Sequence, residues 1–358
     1  MYTKKKFFKI VSQTIICLST LFLASLSSTS SESKTFKIEN IEIAEKFDAN
    51  FNKEIAINNA FSVAFKELIS SVITNKDKKK IQSIKLNEIK YLVESFEIKN
   101  ETFLNKKYIA NFNVNFNKKK TLNFFEAKNI FPSLKINKDF LKILIFIDND
   151  KNQIFLYENN PFYKNWDNIE EKYFLINYIL IDEDIEDLKI INENKDNIEN
   201  YKFDKIIKKY DINDYIISIF FKNKKDIRVL SKFFFDENLK IINYKYNNID
   251  LENQKELDNL IFQTKINLED LWKSNNLINT SLKLPINLQL NSKDTLKIVN
   301  LEKAMDKIDL IYEYYVTNIS SNNINYKIIF NGNPNQFLKT MKEENIKIDI
   351  ENEIWKIK

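Results

Sequence analysis

KEIAINNAFSVAFKELISSVI (Lys53–Ile73), YLVESFEI (Tyr91–Ile98) and YIANFNVNF (Tyr108–Phe116) decide how the first part of the chain folds. The first segment sets Ile57, Ala60, Ala64, Leu68 and Val72 at the spacing that gathers them on one helix face. Ala60 and Ala64 keep that face slim enough to lie close to a sheet. The sheet comes from the other two segments. Tyr108, Ala110, Phe112, Val114 and Phe116 alternate with Ile109, Asn111, Asn113 and Asn115, the period of a strand with one buried face. Further out, Phe36, Ile38, Ile41 and Ile43 form another strand with a one-residue slip at Asn40, as a bulge would give. Asn75–Lys80 reads as a polar loop and Asn100–Lys107 as the link between two strands. Lys118–Lys120 with Leu122, Phe124, Phe125 and Ala127 predicts a short closing helix.

The chain has 358 residues, more than a single core usually serves, so two or three domains are expected. A hydrophobic fraction of 44% with 29% charged residues belongs to a folded protein rather than a disordered one. Gly332 is the only glycine and Arg228 the only arginine. Turns that need positive φ must therefore be built from Asn and Asp, the next most tolerant residues. The net charge of +5 is concentrated at the start, where Lys4, Lys5, Lys6 and Lys9 sit. Without those four, 51 basic residues face 50 acidic ones, and the composition no longer argues for nucleic-acid binding.

Residues 1–27 read as a secretory signal peptide: lysines first, then the apolar run Ile10–Leu26, then small polar residues. Cleavage is expected near Ser27 or Ser28, after Ser25-Leu26-Ser27. The alternative is an uncleaved inner-membrane anchor, but Gln13, Thr14, Ser19 and Thr20 leave the run short of the ~20 apolar residues a spanning helix needs. Cys17, the only cysteine, lies within this leader behind the bulky Ile16, so lipid attachment is not expected. The mature chain then holds no thiol and no disulfide. Export to the periplasm rests on the leader alone.

The mature chain divides into three small sandwich-type lobes of an α+β or α/β kind, over 36–129, 140–278 and 281–358. The middle lobe opens with the apolar run Leu141–Ile147, a strand covered on both faces. Ile154–Tyr157 and Phe174–Ile181 follow as strands, with helices expected over Asn165–Tyr173, Ile185–Ile191 and Phe203–Tyr210. Tyr215–Phe221, Ile227–Phe235 and Leu239–Tyr246 read as three more strands, and Glu252–Asn275 as a long helix. In the last lobe Leu282, Leu284, Ile286, Leu288 and Leu290 alternate with polar residues, and Pro285 suggests an edge strand or a bulge. Ser292 is the expected cap of the next helix. Ile311–Ile319 pairs with Ile324–Phe330, Asn333-Pro334 opens a second helix, and Ile346–Ile350 and Ile354–Ile357 close the chain. That order predicts a ferredoxin-like plait.

An alanine-bearing helix followed by Leu92-Val93-Glu94-Ser95-Phe96-Glu97-Ile98, then Tyr108-Ile109-Ala110 and Phe112, resembles exported proteins of domain-of-unknown-function family 2066. Asn160-Pro161 and Trp166 fit that family's Asn-Pro turn with a nearby tryptophan. The order of elements in the middle lobe is also distantly similar to the amino-terminal domain of Tol-type translocation proteins. The resemblance implies a Gram-negative envelope location and carries no catalytic residues.

Missing residue types narrow the chemistry. Without histidine there is no Ser-His-Asp or Cys-His arrangement and no imidazole metal ligand. A single glycine rules out glycine-rich phosphate loops. Asp148-Asn149-Asp150-Lys151-Asn152 starts like a calcium loop but has Gln153 in place of glycine and Asn159 in place of the bidentate glutamate, so a hairpin turn is expected. Asp182, Asp184 and Glu186 are the candidates for a carboxylate-dependent hydrolase, and they also suit the start of a helix. Asn160, Pro161, Phe162 and Trp166 are the partner-binding candidates, with cover over the Leu141–Ile147 strand as the competing reading. The leading expectation is a non-enzymatic periplasmic interaction or assembly-accessory protein with no catalytic residues, metal or cofactor, whose partner is another envelope protein. A carboxylate hydrolase and a small-ligand carrier with its pocket between the first two lobes are the alternatives.

Overall fold

A computed structural model describes residues 35–81, 83–350 and 355–357. The leader and Cys17 lie outside the described residues. The fold is α+β, with three sheets. The first contains β1 (Lys37–Lys46), β2 (Val93–Leu104) and β3 (Lys107–Phe116) in the antiparallel order β1-β3-β2. Helix α1 (Lys53–Val72) lies across it through Ala56, Ala60, Ala64 and Leu68, all fully buried. Asn52 caps α1, its side chain accepting from the Glu54 N–H at 2.9 Å. A second helix, α2 (Leu86–Leu92), leads straight into β2, and α3 (Lys118–Ala127) follows β3.

The slip at Asn40 is present. The register of β1 against β3 shifts between Ile38 and Ile41, and Asn40 takes φ 57° while its N–H donates to the Asn113 side chain at 3.0 Å. Two expectations fail nearby. Asn75–Lys78 is a helical turn rather than a loop, its start held by Asp270, which accepts from the Asn75 N–H at 3.0 Å. Most of Asn100–Lys107 is strand, because Asn100 absorbs a second bulge with φ 50° and lets pairing resume at Thr102.

The second sheet is built on β4 (Lys138–Asp148). One edge of β4 takes β5 (Gln153–Phe155) near its end and β6 (Ile176–Leu180) near its start. Helix α4 (Pro161–Asn165) and helix α5 (Ile185–Glu193) flank β6 in sequence. On the other side β7 (Tyr215–Asn223), β8 (Asp226–Phe235) and β9 (Asn238–Tyr246) follow in order, with β9 as the free edge. Helix α6 (Gln254–Asn275) covers one face with Leu257, Leu260, Ile261 and Leu268. The other face packs Ile143, Ile145, Ile217 and Ile219 against Ile191, Phe203 and Ile206. The helix expected over Asn165–Tyr173 is instead Pro161–Asn165, which Asn160 caps and whose first turn proline suits, followed by a 3-10 turn at Trp166–Asn168, and residues 169–173 are not helical.

The third sheet is β11-β12-β10-β14-β13, formed by β10 (Leu284–Asn291), β11 (Ile311–Ile319), β12 (Asn323–Phe330), β13 (Ile348–Asp349) and β14 (Trp355–Ile357), with helices α7 (Thr295–Lys307) and α8 (Pro334–Glu343). Asp294, not Ser292, caps α7, accepting from the Lys297 N–H at 3.1 Å, while the Ser292 hydroxyl donates to the Ser321 carbonyl. Asn333 caps α8 as expected. The order β11-β12-β10 is that of a ferredoxin-like plait, but the strand beside β10 on its other side, β14, runs parallel to it. Strand β10 is therefore internal rather than an edge. Pro285 is tolerated because β14 pairs only with Leu288 and Gln289.

The buried residues of the first and last sheets form one continuous cluster, from Phe36 to Ile346, whereas the middle sheet has a separate cluster on each face. Two connectors cross where the middle sheet joins the rest. The Ser133 N–H donates to the Val72 carbonyl at 2.7 Å, Leu134 N–H to the Asn276 carbonyl at 2.8 Å, and Ile278 N–H to the Pro132 carbonyl at 2.7 Å.

Among the described residues eleven non-glycine residues take positive φ, Lys106, Lys224 and Glu237 included, while Gly332 does not. The one glycine serves space instead. A Cβ on Gly332 would stand 2.6 Å from the Phe330 ring, which is fully buried against Phe337. Gly332→Ala is expected to cost about 1–3 kcal/mol, and Lys224→Gly to gain about 0.5–1 kcal/mol. Urea denaturation of both variants checks the pair, and the same sign for both would contradict it.

Candidate functional site

Two carboxylates of the acidic cluster, Asp184 and Asp187, are engaged in structure. Asp184 caps α5, accepting from the Glu186 N–H at 2.7 Å, and Lys209 bridges Asp184 and the fully buried Asp187. The hydrogen bond from Lys209 holds the Asp184 carboxyl below the usual range, opposite to what a general acid needs. Asp182 and Glu186 are exposed on either side of it. Asp148 accepts from the N–H groups of Asp150 and Lys151 at 3.1 and 3.2 Å in the β4–β5 turn, and Lys222 pairs with both Asp148 and Asp150. No group of side chains suited to a metal ion occurs among the described residues.

The aromatic turn offered as a partner surface is closed. Asn160, Phe162 and Trp166 are fully buried, and only Pro161 is partly exposed. Asn160 holds the turn onto β4, its amide donating to the Leu144 carbonyl at 3.1 Å while its oxygen accepts from Phe162 N–H at 2.9 Å. Phe162 stacks on Phe220 with centroids 3.7 Å apart. A sheet face as apolar as this one needs that cover, so the side chains turn inward.

Beneath this cover lies a cluster that the apolar run Leu141–Ile147 conceals. Lys142 is the one charged residue in that run, and strand alternation points it to the same face as Phe140 and Leu144. It is fully buried. Its Nζ lies 2.6 Å from Ser218 Oγ on β7, which lies 2.7 Å from Ser231 Oγ on β8. Lys265 reaches down from α6, donating to the Ile169 carbonyl at 2.7 Å. Both amines sit over Trp166, at 4.5 Å for Lys142 and 5.1 Å for Lys265, with the Tyr178 ring perpendicular beside it. The buried Trp166 Nε1 and Tyr178 hydroxyl have no hydrogen-bond partner among the described residues. Burial pushes Lys142 well below an ordinary lysine, and the neighbouring Lys265 adds to that. Burial brings Lys265 down to about 8, against the pull of Asp167, Glu170 and Glu269. Lys142, Ser218 and Ser231 have the atoms of a lysine-activated serine, but substrate has no route to a hydroxyl with no exposed surface.

A sequence signal for this cluster did exist. A lysine inside a strand that is otherwise apolar on both faces must be buried, and Ser218 and Ser231 break two further apolar strands at the same depth. Two more buried charges on α6 tie elements together. Glu269 accepts from the N–H groups of Leu175 and Ile176, and Lys273 donates to the Ser70 carbonyl at 2.6 Å.

Two concavities open to solvent matter. A pocket of about 230 Å³ is lined by Lys265, Tyr178 and Phe174, with Asp167, Glu170 and Glu171 exposed at its rim. A cleft of about 460 Å³ lies between the first and last sheets rather than between the first and second. Its charges are engaged: Lys119 pairs with Glu313, the half-buried Lys118 donates to the Ile308 carbonyl, and Tyr314 donates to Asp306 at 2.7 Å. Comparison with known proteins finds no matching family model and no matching curated protein.

The downward shift of Lys142 has a thermodynamic consequence. Above its folded pKa and below about 10.4, the unfolded chain holds a proton on this amine that the folded chain does not, so stability rises with pH across that window. Lys265 and Lys273, each brought to about 8, act in the same direction. Lys142→Met should remove up to one proton from the uptake on unfolding, flattening the slope by at most about 1.4 kcal/mol per pH unit in the window that ends near pH 10. Urea midpoints over that range test this, and an unchanged slope would mean that Lys142 is buried as a cation.

Proposed function

We propose that this chain is a non-enzymatic envelope protein that binds another envelope protein through the uncovered half of its middle sheet. The observation that carries this reading is an incomplete third layer. On the face opposite α6, helices cover β4 and β7 but stop near Leu230 and Lys232 on β8. Beyond them Leu239 and Ile241 of β9 are 51% and 58% exposed, opposite the half-buried Phe234 and the buried Lys232. Among the described residues strand β9 is also a free edge, so its backbone can accept another strand while its side chains take an apolar surface.

Two further points support it. Of the carboxylates that a hydrolase would use, Asp184 is spent on a helix cap and an ion pair while Asp182 and Glu186 stand exposed in water, and the lysine–serine cluster is sealed. No helix among the described residues is long and apolar enough to cross a membrane. Together with the lysine-rich leader of residues 1–27, this fits a periplasmic location. The resemblance to exported proteins of domain-of-unknown-function family 2066 points to the same compartment.

Leu239→Lys with Ile241→Lys adds charge to the uncovered face without touching the core. The unaltered protein should crosslink to one discrete component of an envelope extract, and the double variant should lose that adduct while keeping its circular dichroism. An adduct that survives in the double variant, or no adduct with either, would end this reading.

A further inference from the structure

We propose that Lys265 is a carbonyl-capturing lysine and that its pocket admits a small neutral aldehyde or ketone, held as an imine on Nζ. The geometry has three parts. Lys265 is only 2% exposed, yet it lines a pocket whose rim of Asp167, Glu170 and Glu171 is open to solvent. Its amine makes one hydrogen bond, to the Ile169 carbonyl, and no ion pair among the described residues, so it is not sequestered by a carboxylate. The Tyr178 hydroxyl is buried without a partner among the described residues, on a ring whose centroid is 5.0 Å from that amine.

Burial among Trp166, Tyr178 and the underlying Lys142 favours the uncharged amine, the form that attacks carbonyl carbon. The nitrogen adds to the carbonyl carbon and the oxygen takes up a proton. The carbinolamine then loses that oxygen as water, carrying off both hydrogens of the amine, and C=N replaces C=O. No oxidant, reductant or metal is consumed. Tyr178 is the group placed to pass a proton to the departing oxygen. The rim sets the ligand's charge, since three carboxylates repel keto acids and phosphorylated sugars but tolerate hydroxylated neutral compounds. At about 230 Å³ the pocket holds the volume of roughly eight waters, so the compound is small.

The test treats the intact protein with limiting glycolaldehyde and cyanoborohydride at pH 7 and maps hydroxyethylated lysines by peptide mass spectrometry. Lys265 should be modified at least ~tenfold faster than the exposed Lys106 and Lys255, because a far larger share of its amine is neutral at that pH. Tyr178→Phe should slow labelling at Lys265 alone, and the anionic glyoxylate should label it several-fold more slowly than glycolaldehyde. Lys265→Arg should lose this one modification. If that variant does not fold, the site-resolved rates in the unaltered chain still decide. Labelling of Lys265 no faster than of Lys106 and Lys255, or as fast with glyoxylate, would overturn the assignment.

Discussion

The crossing of two connectors at Ser133 and Leu277 is the constraint on which the architecture depends. Residues 132–134 and 276–278 bond to each other and to the end of α1 through short backbone hydrogen bonds. Polar side-chain groups from α6 reinforce the junction, with Lys273 on the Ser70 carbonyl, Asp270 on the Asn75 N–H and Trp272 Nε1 on the Ile136 carbonyl. A buried lysine and a buried tryptophan N–H each lose water here, and each recovers a partner in the backbone. The junction therefore fixes where the middle sheet stands relative to the core that the first and last sheets share.

Periodicity made much of this legible from residue order. Alternation at Tyr108–Phe116 and the alanine stripe of α1 are local patterns with one structural solution, and the slip at Asn40 announced a bulge because it breaks a period of two. Capping at Asn333 was equally local. What escaped was settled at long range. Asn75–Lys78 is helical because Asp270, nearly two hundred residues away, holds its first N–H. The direction of β14 beside β10, and the fusion of first and last lobes into one core, depend on pairings that no short window contains.

The candidate site illustrates the same boundary. Asn160–Trp166 drew notice as aromatics around a proline, and aromatics serve cores and interfaces equally well. Only the apolar face of β4 and β7 decides between them, and it takes the cluster inward. Lys142 was visible as a residue but merged into the run around it. Its meaning comes from Ser218 and Ser231, brought alongside by parallel and antiparallel pairing from 76 and 89 positions away. A polar trio within a sheet is costly unless each member is satisfied, and the chain of contacts from Lys142 to Ser218 to Ser231 supplies that satisfaction.

The shared core of the outer sheets has a consequence for biosynthesis. Thr35 bonds to Asp309 across 274 positions, and the cluster that starts at Phe36 is finished only by residues as late as Ile346. At ~5–20 residues per second a ribosome needs roughly 10 to 45 s to proceed from the end of α3 to that point. Through that interval the nascent amino-terminal sheet holds an unfinished apolar flank, while the intervening sheet, with both of its clusters local, can close first. A holding chaperone would find its target in that waiting flank, and a slow decoding stretch would be best tolerated after Asn275, once the central sheet is complete.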